Sequence, residues 1–140
     1  MNLLKAALPN GLHKVDKKGQ PVFIRRVGMV DFEAFFRDIK PERMITQIAY
    51  QLENYKYYVY PVMSRIKGYH IETNLQIFDL TGGGVSKLAS RNAMNLLKMG
   101  ATMSQEMYPE YMGNCFVVNA PMTFVAMWTV IKGFLDERTR

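Results

Sequence analysis

Between Met122 and Leu135 the only clearly polar side chains are Thr123, Thr129 and Lys132, and Pro121 stands where a helix would start. A helix that is apolar nearly all the way round must be buried or must meet something oily. The preceding residues read as a turn followed by a short buried strand, Cys115 to Val118, and Asp136 supplies a polar stop. The longest oily run, Cys115 to Ile131, is broken by Asn119 and Pro121. It is also shorter than the ~20 residues a bilayer core demands, so no transmembrane span is expected. With no basic-then-apolar leader at the start of the chain, the reading is of a soluble, cytoplasmic protein.

The remaining elements follow from turn chemistry and periodicity. Pro9-Asn10-Gly11 is a turn signal, and in the next turn Asp16 can hold the loop with its side chain while Gly19 takes a positive φ. Val22 to Val27 reads as the first strand, ended by Gly28. Asp31 caps a short helix with Phe32, Phe35, Phe36 and Ile39 on one side, and Pro41 starts a longer one. In that longer helix Met44, Ile45, Ile48, Ala49, Leu52, Tyr55 and Val59 recur at spacings of three and four. Pro61 should kink or tighten it near its end. The aromatic run Tyr55 to Tyr60 reads as rings covering the edge of the core, with base stacking as the other reading.

His70 to Leu80 is the second strand. Parity puts Thr73, Leu75, Ile77 and Asp79 on one face and Asn74, Gln76, Phe78 and Leu80 on the other. Two amides beside a phenylalanine on a central strand need hydrogen-bond partners or a wet cavity. A helix from Val85 to Met107 follows. Strand and helix thus alternate, which predicts an α/β domain with a mostly parallel sheet and helices packed on it. A chain of 140 residues buries about 70% of its unfolded surface, enough for one globular core.

Several chemistries are excluded. The segment Gly82-Gly83-Gly84-Val85-Ser86-Lys87 lacks the order of a phosphate-binding loop, G-x-x-x-x-G-K-[ST]. There is no G-x-S-x-G elbow, and two histidines and one cysteine, widely separated, make no zinc spacing. The single Cys115 permits no internal disulfide, in keeping with a reducing compartment. The net charge of +6 would suit nucleic acid or an anionic membrane face, but the basic residues are scattered and form no nucleic-acid signature. The chain reads as a binding protein, not an enzyme, with no cofactor and no metal.

Tyr108-Pro109-Glu110, Gly113, Asn119-Ala120-Pro121, Phe124, Trp128, Lys132 and Phe134-Leu135-Asp136 together resemble the Sec14-like (CRAL-TRIO) lipid-transfer domain. The turn Asp79-Leu80-Thr81-Gly82 is similar to that family's Asp-Leu-x-Gly turn. The resemblance implies a pocket holding one phospholipid, phosphatidylinositol in the type it most resembles, with the helix after Asn-Ala-Pro as a mobile gate. It implies a carrier or presenter of lipid that touches membranes transiently. The same fold serves in some relatives as a protein-interaction module, for example toward small GTPases, and that is the alternative. It further implies a single domain lacking the family's N-terminal helical lobe and last C-terminal segment.

Within that resemblance, Glu110 and Thr139 fall on head-group contacts of phosphoinositide-binding members. An acid can accept from inositol hydroxyls and a threonine can donate to phosphate. Strand parity adds Asn74 and Gln76 as polar groups for the head group. The expected pocket wall and gate are Phe23, Phe78, Tyr108, Cys115, Val117, Phe124, Trp128 and Ile131.

Overall fold

The computed structural model describes residues 9–135. A hairpin opens the sheet: β1 (Asn10–Val15) runs antiparallel to β2 (Pro21–Arg25), with a register irregularity between Leu12 and Val15. The Asp16 carboxylate accepts from the backbone N–H groups of Lys18 (2.9 Å) and Gln20 (2.8 Å), and Gly19 takes φ 77°. Strand β1 was not anticipated from the sequence. All of its residues are exposed, so it carries no alternation of buried and solvated positions.

Strands β3 (Asn74–Asp79) and β4 (Met112–Val118) complete a sheet of order β1-β2-β3-β4, in which β2, β3 and β4 are parallel. The crossover from β2 to β3 contains α1 (Phe32–Asp38), α2 (Pro41–Asn54), a π-helical turn (Tyr55–Val59) and α3 (Tyr60–Lys67). Asp31 caps α1, its carboxylate accepting from the Ala34 N–H at 3.0 Å. The bend expected at Pro61 is taken up by the π turn just before it. Proline has no N–H to continue the α ladder, and one extra residue in the turn absorbs the mismatch.

The second crossover was read as one helix from Val85 to Met107 but is two, α4 (Val85–Leu88) and α5 (Arg91–Met107). Ser90 interrupts it and caps α5, its hydroxyl accepting from the Ala93 N–H at 3.2 Å. After β4 comes α6 (Phe124–Ile131), then a 3-10 turn (Lys132–Phe134). This last helix is shorter than its apolar run, and the protein covers only part of it: Met122 is 94% and Val125 75% exposed.

Two right-handed crossovers that step the same way across a sheet lay their helices on the same face. That face carries Phe23 and Arg25 on β2, Asn74, Gln76 and Phe78 on β3, and Cys115 and Val117 on β4, as the register pairs them. Phe23 joins Leu52, Tyr55, Tyr60, Ile71, Met103 and Tyr108 in the principal core cluster. A second cluster, Val30, Phe32, Leu80, Leu88 and Ala93, closes the carboxyl ends of the strands. The opposite face holds Val22, Ile24, Leu75, Ile77, Phe116 and Val118, none of them buried.

Candidate functional site

The helix-covered sheet face brings together most of the residues singled out from the sequence. Phe23 is buried, its ring edge-on to Tyr55 at 5.6 Å and 72°. Asn74 is the one buried polar residue among those described, only 1% exposed, and its amide donates to the Tyr60 hydroxyl at 2.8 Å. Its carbonyl oxygen Oδ1 is buried with no hydrogen-bond partner. Gln76 and Phe78 are half-buried on the same face, while Cys115 and Val117 on β4 are exposed. Burial pushes the Cys115 thiol up against the opposing pull of Arg25, so the sulfur is sheltered although the residue as a whole is not.

A chain of tyrosines closes the amino-terminal end of this face. Tyr55 and Tyr60 lie 6.1 Å apart, Tyr60 and Tyr111 5.7 Å, and Tyr108 and Tyr111 5.5 Å. Tyr108 is buried and donates to the Glu53 carboxylate at 2.7 Å; that acceptor holds its phenol pKa up at about 12. Burial pushes Tyr60 up to about 12 as well, and raises Tyr55 and Tyr111. All four phenols are therefore neutral donors at pH 7. The Tyr55 hydroxyl is buried and finds no partner.

Arg25 was missed by the sequence reading as a member of this site. Its guanidinium lies 4.7 Å from the centre of the Phe23 ring and 5.8 Å from that of Phe78, and its Nε is buried and unpartnered. The signal was available: Phe23 and Arg25 are two apart on one strand and so share a face.

The other expected residues sit elsewhere. Glu110 is exposed in the turn entering β4, with φ 63°. Phe124 and Met127 pack on the carboxyl-end cluster, Phe124 lies 6.1 Å from Trp128, and Ile131 is buried. The Gln105 amide donates to the Phe134 carbonyl at 2.9 Å, which ties the end of this segment to α5. Thr139 lies outside the described residues. A cleft of about 280 Å³ between the hairpin turn and residues 69–73 includes none of the expected site residues. Among the described residues no cluster of His, Cys, Asp and Glu could hold a metal ion, and no helix is long and apolar enough to cross a membrane.

A mainly parallel four-stranded sheet with helices packed on one face, and a short apolar helix after an Asn-Ala-Pro turn, make up an α/β architecture of the Sec14-like kind. Residues 6–140 match the family described as CRAL/TRIO domain, and the chain belongs to that family. Among individual proteins it is similar to the Sec14 cytosolic factor of Schizosaccharomyces pombe, with 37% identity over 94% of this chain and 45% of that protein. It is 36% identical to the SEC14 cytosolic factor of Yarrowia lipolytica over 94% of this chain and 26% of that one. The phosphatidylinositol/phosphatidylcholine transfer protein SFH11 of Arabidopsis thaliana shares 35% over 97% of this chain and 36% of its own length. The chain thus spans less than half of each of these relatives. A crystal structure of Sfh5 shares the fold, with a TM-score of 0.61 and 19% identity over 100% of this chain and 47% of that one.

Proposed function

We propose that this chain binds one phospholipid, phosphatidylinositol, and carries it between membranes or presents it to lipid-modifying enzymes. It acts as a binding protein and not an enzyme, in the cytoplasm and only transiently at membrane surfaces. The observation that carries the reading is the helix-covered sheet face. Phenyl rings lie there beside buried polar atoms of Arg25, Tyr55 and Asn74 that no described residue satisfies. Buried polar atoms left over by the protein are what an amphiphilic ligand would satisfy. The names of the relatives, one of which is a phosphatidylinositol/phosphatidylcholine transfer protein, point the same way.

In this reading Asn74, Gln76, Glu110 and Thr139 meet the head group. The acyl chains run along Phe23, Phe78, Tyr108, Cys115 and Val117 toward a gate carrying Phe124, Trp128 and Ile131. Two chains of ~16 carbons would cost about 25 kcal/mol to hydrate, so the wall has to be as oily as the bilayer it replaces. A second reading, a protein-interaction module, is favoured by one feature: Phe116 and Val118 are exposed on the uncovered face beside the β4 edge. Mass spectrometry of lipid extracted from the purified chain, against an identically handled control, separates the two. A stoichiometric phospholipid is expected. Its absence from a folded, monodisperse sample would transfer the case to the interaction module.

A further inference from the structure

Arg25 is a positive charge that the described residues do not neutralise. The ion pairs among them are Arg37 with Asp38 and His70 with Glu72, and the Arg25 Nε is buried with no hydrogen-bond partner. The titratable groups that bear on it are Tyr55 and Cys115, both kept protonated by burial. Arg25 is half-buried, and a charge drawn that far from water with no counter-charge among the described residues is costly, since arginine does not escape by losing its proton. It stands over the Phe23 and Phe78 rings with its Nε buried and unsatisfied, and a guanidinium's fork of N–H donors is the group best suited to an oxyanion. The Tyr55 hydroxyl, also unpartnered, is a second donor on the same side of the sheet. Tyr55 opens the π-helical turn, an irregularity that costs α-helical hydrogen bonding and recurs at functional sites.

We infer that Arg25 and Tyr55 form an anion subsite that takes the phosphate of the ligand, so that the bound molecule is a glycerolipid bearing a phosphate group. The inference rests on the lipid-binding reading above and adds to it the residue that selects for phosphate. A planar guanidinium can take two phosphate oxygens at once, while the flanking phenyl rings receive the glycerol and first methylenes. Lysine would keep the charge and lose the fork.

The test is lipid uptake by the whole chain from mixed vesicles of phosphatidylinositol and diacylglycerol with the same acyl chains. After the vesicles are pelleted, lipid left with the protein is quantified. Wild type should retain phosphatidylinositol, and Arg25→Gln should lose it by roughly tenfold or more, the scale of a charge-assisted hydrogen-bond pair. Diacylglycerol retention should be unchanged, and Arg25→Lys should fall between. Should Arg25→Gln fail to fold, Tyr55→Phe keeps the ring and removes only the hydroxyl, with a fall of roughly threefold or more expected. Equal phosphatidylinositol loading in wild type and in the folded variants would overturn the subsite while leaving lipid binding intact. If wild type takes up no lipid, but inorganic phosphate binds in a ³¹P NMR titration and Arg25→Gln abolishes that binding, the subsite stands and the lipid reading falls.

Discussion

The Asn74 side-chain amide donates to the Tyr60 hydroxyl at 2.8 Å, joining the start of β3 to the first residue of α3 across the core. Both residues are buried, so removing one partner strands the other away from water. Tyr60→Phe should therefore destabilise the fold by about 1–3 kcal/mol, the desolvation cost of an unmade hydrogen bond. Asn74→Leu together with Tyr60→Phe removes both partners and should recover much of that loss. Urea unfolding of the two single variants and the double variant gives the coupling directly, and additive losses would show that the bond carries no stability.

Asp79 joins the ends of two parallel strands. Its Oδ1 accepts from the Asn119 amide at 2.9 Å, the Thr81 N–H at 3.0 Å and the Thr81 hydroxyl at 2.6 Å. These bonds, Asn119's foremost, hold the carboxyl down at about 2. Its folded pKa lies below the unfolded value of roughly 3.9, so its stabilisation is present above about pH 4 and drains away as pH falls toward 2. Urea midpoints measured across that window should fall more steeply for wild type than for Asp79→Asn. Parallel curves would mean that the turn at Asp79 is not held by its charge.

Strand parity was enough to place Phe23, Asn74, Gln76 and Phe78 on one face, because a period of two survives wherever one face of a strand is covered. The same parity held Arg25, but a charged residue next to Arg26 reads as surface until the helix above it is known. Strand β1 carried no signal, since a strand solvated on both faces has no period to read. The run Tyr55 to Tyr60 divided as a helix surface must: Tyr55 and Tyr60 are buried, Tyr57 and Tyr58 exposed. What sequence could not give was the π turn that Tyr55 opens.

Gly28 is buried where the β2 end passes over the β3 end. A Cβ there would sit 2.3 Å from the Thr81 carbonyl oxygen and 2.4 Å from that of Leu80, both backbone atoms. Lys87 also donates to the Gly28 carbonyl at 2.9 Å, so the loop cannot lift away without losing that bond. Gly28→Ala should cost on the order of 3 kcal/mol by forcing the two segments apart. Gly84→Ala, where an added Cβ meets nothing within 4 Å, is the control and should be near neutral. Thermal melts of the two variants side by side check the difference.

In the lipid-carrier reading the surface that meets a membrane is the outer side of the segment that runs from Met122 through α6. Met122 and Val125 are 94% and 75% exposed, while Phe124 and Ile131 on the same segment face inward. An apolar side chain moved from water into hydrocarbon gains about 1.5–3 kcal/mol. Two such anchors, only partly inserted, would shift vesicle binding by roughly tenfold to a hundredfold. Met122→Asp with Val125→Asp removes both without disturbing a buried contact, so the fold and its melting temperature should hold while flotation with liposomes is lost. The net charge of +6 adds attraction to anionic vesicles that salt should screen, whereas the anchor contribution should persist at high salt. Flotation unchanged by the double substitution would place the membrane contact elsewhere on the molecule and leave the exposure of this helix to a protein partner.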